Sequence, residues 1–292
     1  MKVAGFLTGM ALLAGSVPFL AAAQLHPDAL KAWDEHLQEA DRRMQARLSG
    51  RQPFLWTDEL PDRKQRVRHG EVVVAPGVGH GTQNVQNGLI HDWLGAVFIP
   101  GGTIESLFRV THDYNRYKEI YKPVVADSKV LACSTGRQEF TMVCQRRVLF
   151  VNAAMEGHYQ SRDVAINPHR GYSILDATQV QQYENYGSPA AHLLPPDTGS
   201  GYVWRVRSLA RYEERDGGLY LEVEAMALTR DIPASLRWLV SPIVNHLSVN
   251  SLTATLNQTR DAVNALPSRP ESVATCPPRP RALTKTKSSG EE

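Results

Sequence analysis

Three cysteines in a chain of 292 residues are too few for a disulfide-dense scaffold. There is no excess of one charge either: 32 Lys and Arg stand against 30 Asp and Glu, a formal net charge of +2. That balance excludes a strongly basic nucleic-acid binder and an acidic tail protein. Beyond the N-terminal segment no apolar run is long enough to span a bilayer. Strong catalytic motifs are also missing. There is no His-Glu-x-x-His for zinc, no Gly-x-Ser-x-Gly elbow and no Walker loop. Gly77-Val78-Gly79-His80-Gly81 lacks the spacing of a dinucleotide fingerprint and precedes a strand instead of a helix, so it reads as a flexible loop. What remains is 42% apolar and 21% charged, the balance of an ordinary globular protein with one large domain or two small ones.

What is present begins with an address. Lys2 is followed by a mostly apolar run from Val3 to Leu20, and Ala21-Ala22-Ala23 meets the small-x-small rule before Gln24. Residues 1–23 therefore read as a cleaved Sec signal peptide, with a retained anchor as the alternative, and the mature chain as exported to a periplasm or beyond. An oxidising compartment draws attention to Cys133, Cys144 and Cys276. A turn near Ser134-Thr135-Gly136 puts Cys133 opposite Gln138, several residues from Cys144, which opposes a direct bridge. The expectation is two buried free thiols, with Cys276 unpaired in a Pro-rich tail.

Residues 27–49 read as a helix, with Pro27 at its first position and Leu30, Trp33, Leu37, Ala40, Met44 and Leu48 on one face. A charged connector, 51–68, carries Phe54, Leu55 and Trp56 as a staple to the domain. After a short β-like run, 71–75, and the Gly-rich loop 76–88, the main domain starts near Leu89. Its first strand, around Ile90–Phe98, is stopped by Pro100-Gly101-Gly102. Two short helices follow, capped by Thr103 and Asp113. Five β-rich runs come next, at 128–133, 139–144, 148–159, 171–178 and 180–185.

Asp216-Gly217 marks a two-residue hairpin turn, so paired residue numbers sum to 433. One face carries Trp204, Val206, Ser208, Ala210 and Tyr212 opposite Thr229, Ala227, Ala225, Val223 and Leu221. The other carries Arg205, Arg207, Leu209 and Arg211 opposite Leu228, Met226, Glu224 and Glu222. The first is read as inward and the second as wet. Ser208, Ala210, Ala225 and Ala227 leave the inward face shallow, so either bulky helix residues or a ligand must fill it. An apolar stripe from Leu236 to Val263 makes the C-terminal helix. Pro242 is expected to divide it into 233–240 and 242–264, with Ser241 capping the second part. Residues 267–292, rich in proline and charge, read as a disordered tail.

The order of these elements, and the segment Phe98-Ile99-Pro100 … Leu107 … His112-Asp113-Tyr114-Asn115-Arg116-Tyr117 … Tyr121-Lys122-Pro123 … Ser128-Lys129-Val130-Leu131, resemble the opening of the START-like superfamily of polyketide cyclases and lipid carriers. Asp231-Ile232-Pro233 running into an amphipathic helix fits the end of that pattern. The resemblance covers residues 89–264. The chain departs from it by an added N-terminal helix, the Gly-rich loop and the signal peptide. The resemblance implies an α+β helix-grip fold, a curved antiparallel sheet wrapped around a long C-terminal helix with a cavity between them. The chain then divides into 1–23, the signal peptide; 24–88, the N-terminal helix and connector; 89–266, the START-like domain; and 267–292, the tail. No catalytic residue is carried over, because members share a cavity more than a chemistry.

The chain is expected to bind a hydrophobic small molecule, a lipid, quinone or similar, with no cofactor, no metal and no nucleic acid; peripheral membrane contact and oligomeric state stay open. The candidate ligand-binding residues are Trp93, Tyr114, Tyr117, Met155, Trp204, Ser208, Ala210, Tyr212 and Ala225. Tyr114, Tyr117 and Tyr121 share one helix face, which serves either sheet packing or a cavity mouth; Trp93 and Trp204 are core or wall. The alternative is a cyclase/aromatase-like or hydrolytic enzyme, which needs at least two convergent polar side chains in the cavity. His91-Asp92 does not make a dyad, since strand neighbours point to opposite faces. Glu156 and His158 share one face, but Met155 is the more plausible interior. Arg137, Arg146 and Arg147 read as a solvated basic spot.

Overall fold

The computed structural model describes residues 23–134, 136–148, 151–232 and 234–267, with side chains described for all of these except 146–148, 151–152, 234–241 and 243. The segment read as a signal peptide, up to residue 22, and also Cys276 and the residues beyond Pro267 lie outside the described residues.

The chain runs through α1 (Pro27–Leu48), a 3₁₀ turn at Trp56–Glu59, α2 (Pro61–Arg68), α3 (Ile104–Thr111), α4 (Tyr117–Ile120) and α5 (Ala234–Asn264). Its strands are β1 (Ala23–Gln24), β2 (Val73–Pro76), β3 (Thr82–Val85), β4 (Gly88–Pro100), β5 (Val125–Ser134), β6 (Arg137–Val148), β7 (Val151–Asn167), β8 (Arg170–Glu184), β9 (His192–Leu193), β10 (Thr198–Gly199), β11 (Arg205–Arg215) and β12 (Gly218–Thr229). One antiparallel sheet has the order β2-β4-β12-β11-β8-β7-β6-β5, with β3 beside β4 and β9 beside β8; β1 pairs separately with β10. Register shifts in the β5–β6 and β7–β8 ladders mark bulges. Bulges bend strands and raise twist, so they help the sheet curl. α3, α4 and α5 lie on the concave side. This is the helix-grip arrangement, α+β, and the β11–β12 hairpin has the register expected, Arg205↔Leu228 through Arg215↔Gly218.

Several expectations need correction. The second face of that hairpin is not wet. Leu209, Arg211, Glu222, Glu224, Met226 and Leu228 are buried, under α1, the connector and α2. The polarity of Arg and Glu suggested solvent, but here the charges are paired beneath a helix. With cover on both faces, β4 is buried from Gly88 to Ile99, and its near-continuous apolar run is what such a strand requires.

The fully buried stripe of α1 is Ala29, Trp33, His36, Ala40 and Met44, and Leu30, Leu37 and Leu48 of the expected face pack partly buried against the same core. His36 turns inward because Asp92 awaits it, with Nε2 3.0 Å from Oδ2. The Gly-rich loop contains β3. It is glycine-rich for a packing reason: a Cβ on Gly77 would fall 2.0 Å from Asp92 Oδ1, and one on Gly81, at φ +81°, 2.4 Å from the Trp93 ring.

The runs 171–178 and 180–185 form one strand, β8, bulged at Thr178. α5 is continuous through Pro242, so Ser241 caps no second helix. A proline removes one hydrogen bond, and the turns on either side carry the helix past it. Asp113 makes no capping hydrogen bond, and the second short helix splits into a 3₁₀ turn at Tyr114–Arg116 and the single turn of α4. Thr103 does cap α3, within a full capping box with Ser106. Cys133 lies opposite Gln138 as expected, but it is disulfide-bonded, and neither Cys133 nor Cys144 is fully buried. The thiol assignment failed for Cys133, because strand geometry excludes only the Cys133–Cys144 bridge.

Candidate cavity between sheet and C-terminal helix

A cavity of about 380 Å³ lies between the concave face of the sheet and α3, α4 and α5. Its floor is built by cross-strand register. Asp163 of β7 faces Ser173 of β8, Ser173 faces Ala210 of β11, Ala210 faces Val223 of β12, and Val223 faces Gly95 of β4. That row runs from a carboxylate through small side chains to a glycine. At its far end α5 comes close, since a Cβ on Gly95 would sit 2.7 Å from Leu256 and 3.0 Å from Leu252. In the middle, where Ser173, Ser208 and Ala210 are small, the sheet and the helix leave space.

The wall on the β5–β6 side is aromatic. Tyr114 stacks on Phe140 with centroids 4.1 Å apart, and Phe140 on Tyr159 at 5.2 Å. Tyr117 meets Tyr121 edge-on at 4.9 Å. Gly157 leaves room for the Tyr159 ring, 2.3 Å from where a Cβ would be. Burial in this apolar setting raises the Tyr114 and Tyr159 phenols above their ordinary range. Tyr212 is pushed up to about 12 for the same reason. α5 is latched to the end of α4, with Tyr121 OH 3.1 Å from Thr259 Oγ1 and Gln258 Nε2 donating to the Lys122 carbonyl at 2.7 Å.

One end of the cavity is polar. His112, the residue capping the C-terminus of α3, places Nε2 3.1 Å from Asp163 Oδ2 and stacks its ring on Phe108 at 4.5 Å. Ser173 Oγ donates to Asp163 Oδ1 at 2.5 Å, and Gln138 Nε2 to Oδ2 at 3.3 Å. Burial alone would raise the Asp163 carboxyl, but the bonds from His112 and Ser173 outweigh it and hold it below the usual carboxylate value. This cluster was missed in the sequence. The available signal was strand alternation, which places Asp163 on the same face as Tyr159 and Ser161.

Of the nine candidate residues, Tyr114, Tyr117, Ser208, Ala210 and Tyr212 line this cavity. Ala225 and Trp93 share the inner side of the sheet but belong to the apolar cluster beyond the cavity's end, with Trp93 under the Gly81 loop. Met155 packs behind the aromatic wall. Trp204 is a correction: it sits in the core on the α1 side of the sheet, because it precedes β11 and escapes its alternation. Glu156 and His158 stand 3.6 Å apart, and neither lines the cavity. His91 and Asp92 do diverge, with His91 bonded to Thr82 and Thr229 at 3.0 Å each, and Asp92 to His36 and Arg43. Among the described residues no cluster of His, Cys, Asp and Glu could hold a metal ion.

Burial pushes the His91 imidazole down to about 4, from 6.5. The folded value lies below the unfolded one, so its contribution is full above pH 6.5 and lost as pH falls toward 4. The expected result is an unfolding free energy that declines across that window and a flatter profile in His91→Gln, as measured by urea titrations at stepped pH.

This arrangement defines a helix-grip domain with a part-apolar, part-polar cavity. No family model matches the chain, and no curated protein does. Among solved structures, it is similar to a STAR-related lipid transfer protein fragment from Xanthomonas axonopodis, at 16% identity and a TM-score of 0.42, covering 66% of this chain and 98% of that one. Human STARD10 follows at 10% identity and 0.39, covering 69% and 78%. The Zhui aromatase/cyclase from Streptomyces sp. R1128 has 14% identity and 0.37, covering 60% and 97%. With scores this low, the fold assignment stands on the chain's own topology and register.

Proposed function

We propose that this chain is an exported binding protein that holds a hydrophobic small molecule between its sheet and α5. The observation that carries the reading is the cavity itself: about 380 Å³, walled by Tyr114, Tyr117, Phe140 and Leu221, floored by small side chains, and latched to α5. Ligand pockets span roughly 300–1,000 Å³, so this one is sized for a compact molecule. The chemistry that would recognise the ligand is mostly apolar burial, with a few polar groups for orientation. Export is proposed from the N-terminal segment; N-terminal sequencing of protein recovered from a bacterial periplasm should begin at Gln24.

The test is mass spectrometry of compounds that co-purify with the natively purified chain. A stoichiometric apolar compound is the expected result. Empty protein that also fails to bind a neutral hydrophobic dye would overturn the reading. Catalysis in the same cavity is a second reading, favoured by the His112–Asp163 pair. It predicts that a bound compound is chemically altered over time by the protein and not by His112→Phe.

A further inference from the structure

The electrostatics of the cavity narrow the kind of molecule it suits. Among the described lining residues there is no Lys or Arg, and Asp163 is the one carboxylate. Asp163 is already engaged by His112, Ser173 and Gln138. As a carboxylate it only accepts hydrogen bonds, so His112 Nε2 is the donor of that pair. In the neutral imidazole the other nitrogen, Nδ1, then carries the lone pair. Nδ1 has no hydrogen-bond partner among the described residues, while its ring lines the cavity and is held by Phe108 on one side and Asp163 on the other. An acceptor with no partner thus sits on a ring that lines a mostly apolar space.

We infer that this end of the cavity selects a neutral ligand bearing an O–H group that donates to His112 Nδ1, and discriminates against carboxylates and phosphates of the same shape. The inference rests on the binding reading above. An anionic head would be desolvated beside Asp163 with no described cation to pair it, which is costly. A ligand lacking the O–H would leave Nδ1 unpaired and lose one hydrogen bond's worth of affinity. His112 is then a ligand-contacting residue, and Asp163 a positioning residue that fixes the ring's tautomer.

Three probes of one skeleton test this: 2-naphthol, naphthalene and 2-naphthoate, titrated calorimetrically into the full chain at about pH 8, above the ordinary imidazole range. The expected order is 2-naphthol roughly tenfold tighter than naphthalene, as one hydrogen bond supplies, and 2-naphthoate weaker than both. In His112→Phe the advantage of 2-naphthol over naphthalene should disappear while naphthalene binding persists. Asp163→Asn should reduce that advantage without removing naphthalene binding. Equal affinities for 2-naphthol and naphthalene, or 2-naphthoate binding as tightly as 2-naphthol, would overturn the inference and leave the cavity reading standing. No binding of any of the three would overturn the cavity reading with it. Should His112→Phe fail to fold, the wild-type ratios decide the matter alone.

Discussion

Replacing Arg211 with methionine is expected to lower the free energy of unfolding by about 3–5 kcal/mol, the range for removing one partner of a buried ion pair. Arg211 is 1% exposed, and its Nε and Nη1 reach Glu222 and Glu224 at 3.1 and 3.3 Å. Glu222 also accepts hydrogen bonds from the Trp56 and Thr57 amides and from Thr57 Oγ1. Arg43 bridges Glu224 and Asp92 from α1. Burial would raise the Glu224 carboxyl, but Arg211 and Arg43 hold it below its ordinary value. Without Arg211, Glu222 keeps its amide donors but loses its counter-charge in a site with no access to water. Lys118→Met makes the contrast. Lys118 pairs with Asp127 at 3.2 Å with both side chains exposed, so the loss should stay within about 1 kcal/mol. Urea denaturation of both variants checks the pair. Equal small losses would mean that α1 does not seal this network in solution.

Ala210→Phe is expected to weaken binding of a neutral hydrophobic probe by at least a hundredfold, about 2.7 kcal/mol, while the protein stays folded. Ala210 sits mid-row between Ser173 and Val223 and lines the cavity. A phenyl ring there takes the space a ligand would use. Overpacking in a filled core costs about 1–3 kcal/mol, and a ring entering open volume falls at the low end of that range. Ala225→Trp is the informative companion. Ala225 faces the same way from β12 but does not line the cavity, so this variant should retain the probe. Fluorescence titration of both reads the difference. Retention of tight binding by Ala210→Phe would move the ligand elsewhere.

Much of the fold was legible because its signals are local. The Asp216-Gly217 turn set the β11–β12 register residue by residue, since a two-residue loop leaves no freedom in pairing. Thr103 announced the start of α3 through a cap that needs only its own neighbours. Small residues at Ser208 and Ala210 pointed to space under α5, because a shallow surface leaves a gap wherever the facing helix does not fill it.

The failures share another cause. Arg211, Glu222 and Glu224 alternate like a solvated strand face, and local pattern carries no record of a helix more than a hundred residues upstream folding over them. Trp204 sat one residue ahead of its strand, outside the alternation that placed its neighbours. The disulfide of Cys133 depends on a partner beyond the strand pair that the local geometry described. His112 and Asp163 are separated by three strands' worth of chain, so no spacing rule joins them.

By itself the sequence determined the element order, the hairpin register, the C-terminal helix and the small inner floor, all of which follow from neighbours a few residues apart. Tertiary structure alone decided which face of the sheet α1 would seal, where the floor would remain uncovered, and that His112 would meet Asp163 at its polar end. Those outcomes depend on long-range packing, where desolvation and the pairing of buried charges select among arrangements that local chemistry leaves equally open.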